Sequence, residues 1–130
     1  MKKRELNTIQ RKEKLNRVYA ICFDGESDEK EQPGGACHDY EIDCLLEDGK
    51  IFKNFIFFQN GPRKSSKSVQ GVLDCDLLEI VRDRLLAFQA GAFANDYTGR
   101  ALYHVEEALY QMNLRVEDRI SRNVLGTMEK

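Results

Sequence analysis

The chain has 130 residues, of which 42% are hydrophobic, and this size matches one globular domain rather than two independent ones. Its formal net charge of -2 argues against general binding of polyanions such as duplex nucleic acid. No apolar run approaches the roughly 20 residues of a membrane-spanning helix, so we expect a soluble intracellular protein without a secretion signal.

The N-terminal part of the chain alternates between polar segments and one apolar run. The first fourteen residues are polar and basic, which indicates a mobile arm or a short helix. Residues 17–23 are rich in β-branched and aromatic side chains and predict a strand. An acidic run followed by Pro33 and two glycines predicts a loop over residues 24–35.

The clearest strand signal is a hairpin in the middle of the chain. Residues 40–44 alternate between apolar and acidic side chains, the period of a half-buried strand. An Asp-Gly turn at Asp48 leads into a second, more apolar strand at residues 51–58. A Gly-Pro pair at residues 61–62 ends that strand, and a polar loop follows.

Two helices are predicted after this loop, because apolar side chains recur there at helical spacing. The first helix is capped by Asp74 or Asp76 and ends near Gly91. The second helix runs from about Asp96 to about Arg122. The predicted buried residues are Leu77, Leu78, Ile80, Val81, Leu85 and Phe88 in the first helix and Leu102, Val105, Ala108, Leu109 and Met112 in the second.

These elements predict an α+β fold. The short connection between the helices favours an antiparallel pair. We therefore expect an N-terminal antiparallel β-sheet packed with a C-terminal antiparallel two-helix hairpin. Residues 1–130 would form a single domain, with the basic arm and sheet in residues 1–72 and the hairpin in residues 73–130.

The cysteine pattern offers no metal site. Cys22, Cys37, Cys44 and Cys75 include no C-x-x-C pair, and they lack the His/Cys spacing of a tetrahedral zinc site. They are most simply interpreted as the reduced thiols of a cytoplasmic protein. We therefore expect neither a bound metal nor a cofactor.

Motifs of catalysis are also missing from the sequence. It contains no H-E-x-x-H and no G-x-S-x-G, and the loop after Gly61 lacks the second glycine of a phosphate-binding P-loop. His38 and His104 fall in different layers, with no nucleophile beside either in sequence. Adjacent Glu106 and Glu107 cannot share one helix face. The chain is therefore predicted not to be an enzyme.

Three arginines near the C-terminus form a candidate binding strip, which we call the arginine ladder. Arg115, Arg119 and Arg122 follow the spacing i, i+4, i+7, which places three guanidinium groups along one helical face. Each can donate two parallel hydrogen bonds to phosphate oxygens. The spacing fits a structural role equally well, in which these cations complement the helix macrodipole or pair with Glu117 or Asp118.

Phe88 and Arg63 are further candidates for binding a ligand. Phe88 is either a core residue or a surface on which a base stacks. Arg63 lies in a basic loop. An aromatic ring, a basic loop and the arginine ladder together describe a nucleotide pocket.

Several of these segments resemble a family of phage proteins. They run from Phe57 to Arg63, from Asp76 to Gly91 and from Ala101 to Leu109, and they end with the tail Arg115-x-x-x-Arg119-x-x-Arg122-x-Val124-x-Gly126-Thr127. The family comprises the Thoeris anti-defence sponges and the related anti-CBASS sponges, which share a helical-hairpin domain. The resemblance covers the chain from about Phe57 onward.

The resemblance implies sequestration without catalysis. In Thoeris immunity a TIR enzyme converts NAD into a cyclic ADP-ribose isomer, and the sponge binds this messenger in the host cytoplasm before its effector does. Some relatives also bind cyclic di- or trinucleotides. The family fold is an N-terminal antiparallel sheet with a C-terminal helical hairpin. It assembles into homo-oligomers, dimers or hexamers, in which the dimer interface forms the messenger pocket.

The resemblance also implies roles for individual residues. Phe88 matches the position that stacks on adenine, and Arg115 and Arg119 match the phosphate-binding arginines. Arg63 is a further match. Thr98 stands where relatives have an asparagine, so its hydroxyl would form the hydrogen bond with a different geometry.

Two alternative functions remain open from the sequence. A nucleic-acid-binding accessory protein would use the basic N-terminal arm and would lose affinity steeply with salt. A nucleotide hydrolase would require a catalytic acid or a metal cluster, which the sequence does not offer.

Overall fold

The computed structural model describes residues 2–22 and 35–130. The described elements are four strands followed by two helices: β1 Lys2–Glu5, β2 Asn16–Cys22, β3 Asp39–Leu45, β4 Ile51–Phe57, α1 Asp74–Gln89 and α2 Asp96–Ser121. Phe23 and residues 24–34 of the loop predicted over residues 24–35 lie outside the described residues. No helix in the described part of the chain is long and apolar enough to cross a membrane.

The strands form one antiparallel sheet in the order β1-β2-β3-β4. In the β3–β4 hairpin, Asp39 lies opposite Phe57 and Leu45 lies opposite Ile51. The connecting turn has Gly49 at a φ of 83°, a left-handed conformation that glycine adopts without a steric cost. The α+β class, the antiparallel sheet and the predicted hairpin are therefore confirmed.

The N-terminal arm contains a strand, so the prediction of a mobile arm or short helix is wrong for residues 2–5. Lys3 lies opposite Ile21 in the sheet, and its ammonium group is 2.7 Å from the carboxylate of Glu41. The same ammonium lies 4.2 Å from the centre of the Tyr19 ring. An edge strand tolerates a charged sequence, because it is stabilised by backbone pairing with the neighbouring strand rather than by burial of its side chains.

Glu41 is the buried charged residue of the sheet, with only 4% of its surface exposed. Its pKa lies below the usual value, first because of its side-chain interaction with Asp43 and then because of the hydrogen bond from Lys3. The proximity of Glu41 raises the pKa of Asp43. Lys53 is a second cation near Glu41, at 3.7 Å. Ala20 and Ile21 are the buried apolar residues beside this cluster.

Cys22 and Cys37 form a disulfide, with their Cα atoms 5.5 Å apart. The prediction of reduced thiols is therefore wrong for this pair, whereas Cys44 and Cys75 are free. The β2–β3 register brings the two positions together, although they are separated by 15 residues in sequence. Such a tertiary pairing leaves no local sequence signal.

Both helices begin and end close to the predicted positions, but the N-cap of α1 differs. Leu73 is the N-cap, and Asp76 accepts a hydrogen bond from its backbone N–H at 2.8 Å. Neither Asp74 nor Asp76 is the cap, because the chain turns into the helix one residue before the first of them. In α2, Asn95 is the N-cap and its side chain accepts a bond from the Thr98 N–H at 2.8 Å.

Two contacts join the helices as an antiparallel pair. The Gln89 side chain accepts a bond from the Asn95 N–H at 3.0 Å beside the turn, and farther along Arg82 donates to Glu106 at 2.7 Å. The bond to Glu106 raises the pKa of Arg82. Apolar burial is weaker than predicted, since Ile80 is 59% exposed and neither helix contains a fully buried apolar residue.

The chain divides into two compact units. One comprises Met1–Gly61 with Lys67–Gly71, and the other comprises Pro62–Ser66 with Val72–Lys130. The second unit, which we call the helical unit, therefore includes both helices and the basic loop of Pro62–Ser66. The single-domain organisation of the chain stays a prediction.

Candidate functional site

Phe88 lies in the last turn of α1 and is not a core residue, because 39% of its surface is exposed. The ring of Phe93 packs edge-on against it, with ring centres 6.3 Å apart. The guanidinium of Arg84 lies 5.4 Å from the centre of the Phe88 ring. The site is thus an accessible aromatic ring with a cation beside it, which suits the stacking of a planar base.

The start of α2 borders the same end of the hairpin. A cleft of about 490 Å³ is lined there by Gln89, Ala94, Asn95, Asp96, Gly99, Arg100 and Tyr103. Gly99 keeps this cleft open to Gln89, since a Cβ at position 99 would lie 3.0 Å from the Gln89 side-chain nitrogen. Thr98 is half-buried beside the cleft, and its backbone N–H is bound to the Asn95 cap. We call this region, with Phe88, the aromatic end of the hairpin.

The arginine ladder contains three different environments. Arg119 is only 6% exposed, and its guanidinium donates to the backbone carbonyls of Val124, Thr127 and Glu129. Arg122 is exposed, and it donates to the Asp118 carboxylate at 3.1 Å and to the carbonyl of Lys130.

Arg115 differs from the other two members of the ladder. It is exposed and makes no hydrogen bond or ion pair with another described residue. The structural pairing with Asp118 that the spacing left open is observed for Arg122, whereas Arg119 instead donates to backbone carbonyls beyond the end of the helix. Arg115 instead presents a cation without a partner among the described residues, and the ligand role of the ladder stays a prediction.

The basic loop lies beside the C-terminal end of α2, within the helical unit. The backbone N–H of Lys64 donates to the carbonyl of Gly126 at 3.1 Å. A Cβ at position 126 would lie 3.0 Å from the Lys64 side chain, so the two segments are in close contact. Arg63 is exposed next to this contact, with no bond to a described residue. We call this region, with Arg115, the cationic end.

The aromatic and cationic ends are well separated within one chain. Arg115 follows Thr98 by seventeen residues of the same helix, α2. An α-helix rises ~1.5 Å per residue, so the two positions are about 25 Å apart along the axis. The predicted site residues therefore fall into two groups: Phe88 with Thr98, and Arg63 with Arg115, Arg119 and Arg122.

The sequence interpretation missed several side chains at these two ends. Arg84 lies one turn before Phe88, and the i, i+4 spacing alone could have indicated its contact with the ring. Phe93 and Lys64 are in connections, where no periodic pattern reveals a neighbour. A groove of about 360 Å³ between the helices was also missed; it is lined by Cys75, Glu79, Arg82, Glu106, Leu109, Tyr110, Met112, Asn113 and Val116.

In the described part of the chain, no group of histidine, cysteine, aspartate or glutamate side chains is arranged to hold a metal ion. The two ends combine guanidinium, aromatic and hydroxyl groups with the amides of Gln89 and Asn95, the carboxylate of Asp96 and the ammonium of Lys64. They can bind anions, planar rings and hydrogen-bonding edges. The arrangement therefore suits recognition of a nucleotide.

Comparison with known proteins gives one informative match. No family model matches the chain. The chain is 38% identical over 73 residues to Thoeris anti-defense 1 of Bacillus phage SBSphiJ7, which corresponds to 56% of this chain and 51% of that protein. It thus spans about half the length of the curated relative it matches. This similarity confirms the resemblance of the chain to the phage Thoeris anti-defence proteins that its sequence motifs indicate.

Proposed function

We propose that this protein is a phage anti-defence sponge, which binds a cyclic ADP-ribose-type messenger and sequesters it without degrading it. The observation that carries the proposal is the combination of an accessible aromatic ring at one end of the helical hairpin with exposed arginines at the other that have no partner in the described part of the chain. The similarity to a Thoeris anti-defence protein supports the biological role.

The aromatic end would bind the adenine ring. Phe88 offers an exposed face, and Arg84 lies beside it, where it can approach the base or its ribose hydroxyls. Stacking of a base on an aromatic side chain contributes about 1–3 kcal/mol. The hydroxyl of Thr98 can donate or accept a hydrogen bond at the edge of the base.

The cationic end would bind the pyrophosphate. Arg115 and Arg63 are exposed and have no hydrogen-bonded partner among the described residues. A guanidinium binds phosphate oxygens through two parallel hydrogen bonds, which are stronger than bonds between neutral groups. Binding at this end would therefore recognise the charged half of the messenger.

Two copies of the chain would complete each pocket. The ends lie about 25 Å apart along the α2 axis, which is longer than a cyclic ADP-ribose molecule. Antiparallel association of two hairpins would place the aromatic end of one copy beside the cationic end of the other. The exposed apolar residues of the helices support such a homo-oligomer, since large apolar patches mark interaction surfaces. They include Ile80, Tyr103, Tyr110, Leu114 and Ile120.

Binding without turnover fits the chemistry of these side chains. A guanidinium stays protonated at any physiological pH, and a phenyl ring has no proton to exchange. Neither can serve as a general acid or base near neutral pH, whereas hydrolysis of a pyrophosphate or a glycosidic bond needs proton transfer. The proposed role is therefore capture of the messenger.

Recovery of the ligand tests this proposal. The purified full chain is incubated with a cyclic ADP-ribose isomer and separated from free ligand, and the complex is then denatured by heat. We expect intact messenger in the supernatant, in a fixed ratio to protein. Recovery of a linear or cleaved product would refute sequestration.

Matched variants locate the binding surface. Phe88→Ala and Arg115→Ala should lose most of the captured messenger, because each removes one half of the pocket. Phe52→Ala and Arg11→Ala remove an exposed ring and an exposed cation from the sheet unit and should capture as much as the parent chain. Equal capture by all four variants would place binding elsewhere.

The basic arm, which the nucleic-acid alternative would use, has one of its cations paired with a carboxylate of the sheet. Residues 2–5 belong to the sheet, and the ammonium of Lys3 pairs with Glu41 instead of being available for phosphates. Binding of duplex or single-stranded DNA that falls steeply with salt would favour that alternative.

A further inference from the structure

The C-terminal segment folds back onto the arginine ladder, and we call its residues 124–129 the C-terminal strap. Arg119 is the most buried residue of the helical unit, although arginine is rarely buried without a partner. Its guanidinium is surrounded by the strap carbonyls of Val124, Thr127 and Glu129. The strap carbonyls therefore accept hydrogen bonds from one arginine of the ladder, the proposed phosphate-binding strip.

The strap is an ordered turn with its own hydrogen bonds. Asn123 and Gly126 both adopt left-handed backbone conformations, with φ of 59° and 79°. The Val124 N–H donates to the Arg119 carbonyl at 2.9 Å, and the Thr127 N–H donates to the Val124 carbonyl at 3.1 Å. The Thr127 hydroxyl also donates to the Val124 carbonyl. These bonds hold the strap carbonyls toward the guanidinium.

The donor arrangement of Arg119 excludes bidentate phosphate binding in this conformation. A guanidinium has two edges that can donate a parallel pair of hydrogen bonds, and each edge includes one hydrogen of Nη2. Nη2 of Arg119 donates to both Val124 and Thr127, each at 3.0 Å, so both of its hydrogens are in use. A phosphate can receive a paired bond from Arg119 only after one of these strap contacts opens.

We infer that the C-terminal strap is an autoinhibitory contact, in which backbone carbonyls compete with the anionic ligand for Arg119. This inference rests on the proposed function, because the competing ligand is the phosphate of the messenger. Opening of the strap also releases the basic loop, since Lys64 donates to the carbonyl of Gly126 within it. Strap opening thus frees Arg119 and the Arg63 loop together.

Gly126→Ala tests the strap in the full chain without removing any arginine. An L-residue is strained at the Gly126 φ of 79°. This strain should shift the equilibrium between the closed and the open strap about five- to thirty-fold toward the open state. Because the strained turn favours the open strap, we expect pyrophosphate to bind up to that factor more tightly. Thr127→Val removes the two bonds of the hydroxyl, to the Val124 carbonyl and from the Glu129 N–H, without changing the contact with Lys64, and it should tighten binding by a smaller factor.

Gly49→Ala is the matched control. Gly49 has a φ of 83° in a turn of the sheet unit, and a Cβ there would meet no atom within 4 Å. It introduces the same backbone strain far from the ladder in sequence, so its affinity for pyrophosphate should equal that of the parent chain. All variants are titrated calorimetrically with inorganic pyrophosphate and, separately, with a cyclic ADP-ribose isomer.

The two titrations separate the inference from the proposed function. Tighter pyrophosphate binding by Gly126→Ala and Thr127→Val, but not by Gly49→Ala, supports the strap. Unchanged or weaker pyrophosphate binding by both strap variants overturns it, even if the cyclic messenger binds normally. Failure of every variant to bind the cyclic messenger, with the pyrophosphate pattern intact, refutes the proposed ligand and leaves the strap in place. No pyrophosphate binding by any variant overturns the strap.

Discussion

Replacement of Arg119 should lower stability far more than replacement of Arg115, although the two residues are one helical turn apart. Arg119→Ala removes three hydrogen bonds from a charged donor to the carbonyls of the C-terminal strap. Each such bond contributes about 1.5–3 kcal/mol, but water can replace part of the loss at the half-buried carbonyls. We therefore expect the free energy of unfolding of the helical unit to fall by about 2–4 kcal/mol. The exposed Arg115→Ala should change it by less than about 0.5 kcal/mol.

Urea unfolding followed by the helical circular dichroism signal measures both effects. The midpoint for Arg119→Ala should shift to lower urea with an unchanged slope, and its melting temperature should fall by about 10–30 °C. The urea midpoint of Arg119→Lys should lie between those of the two alanine variants. A lysine keeps the charge, but its compact ammonium lacks the planar fork with which the guanidinium reaches all three carbonyls. If Arg119→Ala is as stable as Arg115→Ala, the strap contacts do not hold the unit together and the reasoning is refuted.

Three further predictions concern the aromatic end and the sheet unit. Phe88→Ala should weaken binding of the cyclic messenger about 5- to 150-fold with little change in the urea midpoint, since the ring is partly exposed; a large loss of stability would indicate a packing role instead. The lowered pKa of Glu41 stabilises the folded state above its usual value of 4.5, and this stability is lost as pH falls through the folded pKa; the raised pKa of Asp43 acts in the opposite direction. Glu41→Gln should therefore flatten the loss of stability as the pH falls below 4.5, and a urea midpoint that falls as steeply as before would contradict this. A reductant should lower the stability of the sheet unit by about 3 kcal/mol, the contribution of closing a 15-residue loop, and should leave the double variant Cys22→Ser/Cys37→Ser unaffected; an equal response of both proteins would exclude the bridge.

Local sequence patterns predicted the elements whose structure is determined locally. The alternation at residues 40–44 and the Asp-Gly turn led to the β3–β4 hairpin, because period and turn chemistry act over a few residues. Helix positions followed from apolar spacing for the same reason. Strand β1 was missed because its charged sequence forms a strand only through pairing with β2. The Cys22–Cys37 bridge likewise depends on the sheet register.

The residue types of the candidate site could be predicted from the sequence, but the contacts that each residue makes could not. Helical spacing placed the three arginines on one face, yet it could not show which of them would be hydrogen-bonded to other groups of the chain. That outcome depends on the path of the strap, set by left-handed turns at Asn123 and Gly126 and by carbonyl groups that every sequence possesses. Helical spacing alone favoured a core position for Phe88, and only the family resemblance pointed to stacking on a base; its exposure depends on how α1 packs.

The exposed apolar residues of the helical hairpin, through which two copies would associate, make the proposed capture of a messenger depend on protein concentration. If each pocket needs two copies, the number of pockets in a dilute solution grows with the square of the protein concentration. Few pockets would exist while the first molecules accumulate, and their number would then rise steeply as association saturates. Protection of an infecting phage would therefore depend on how quickly this protein is made relative to the messenger, and a promoter active at the onset of infection would suit it.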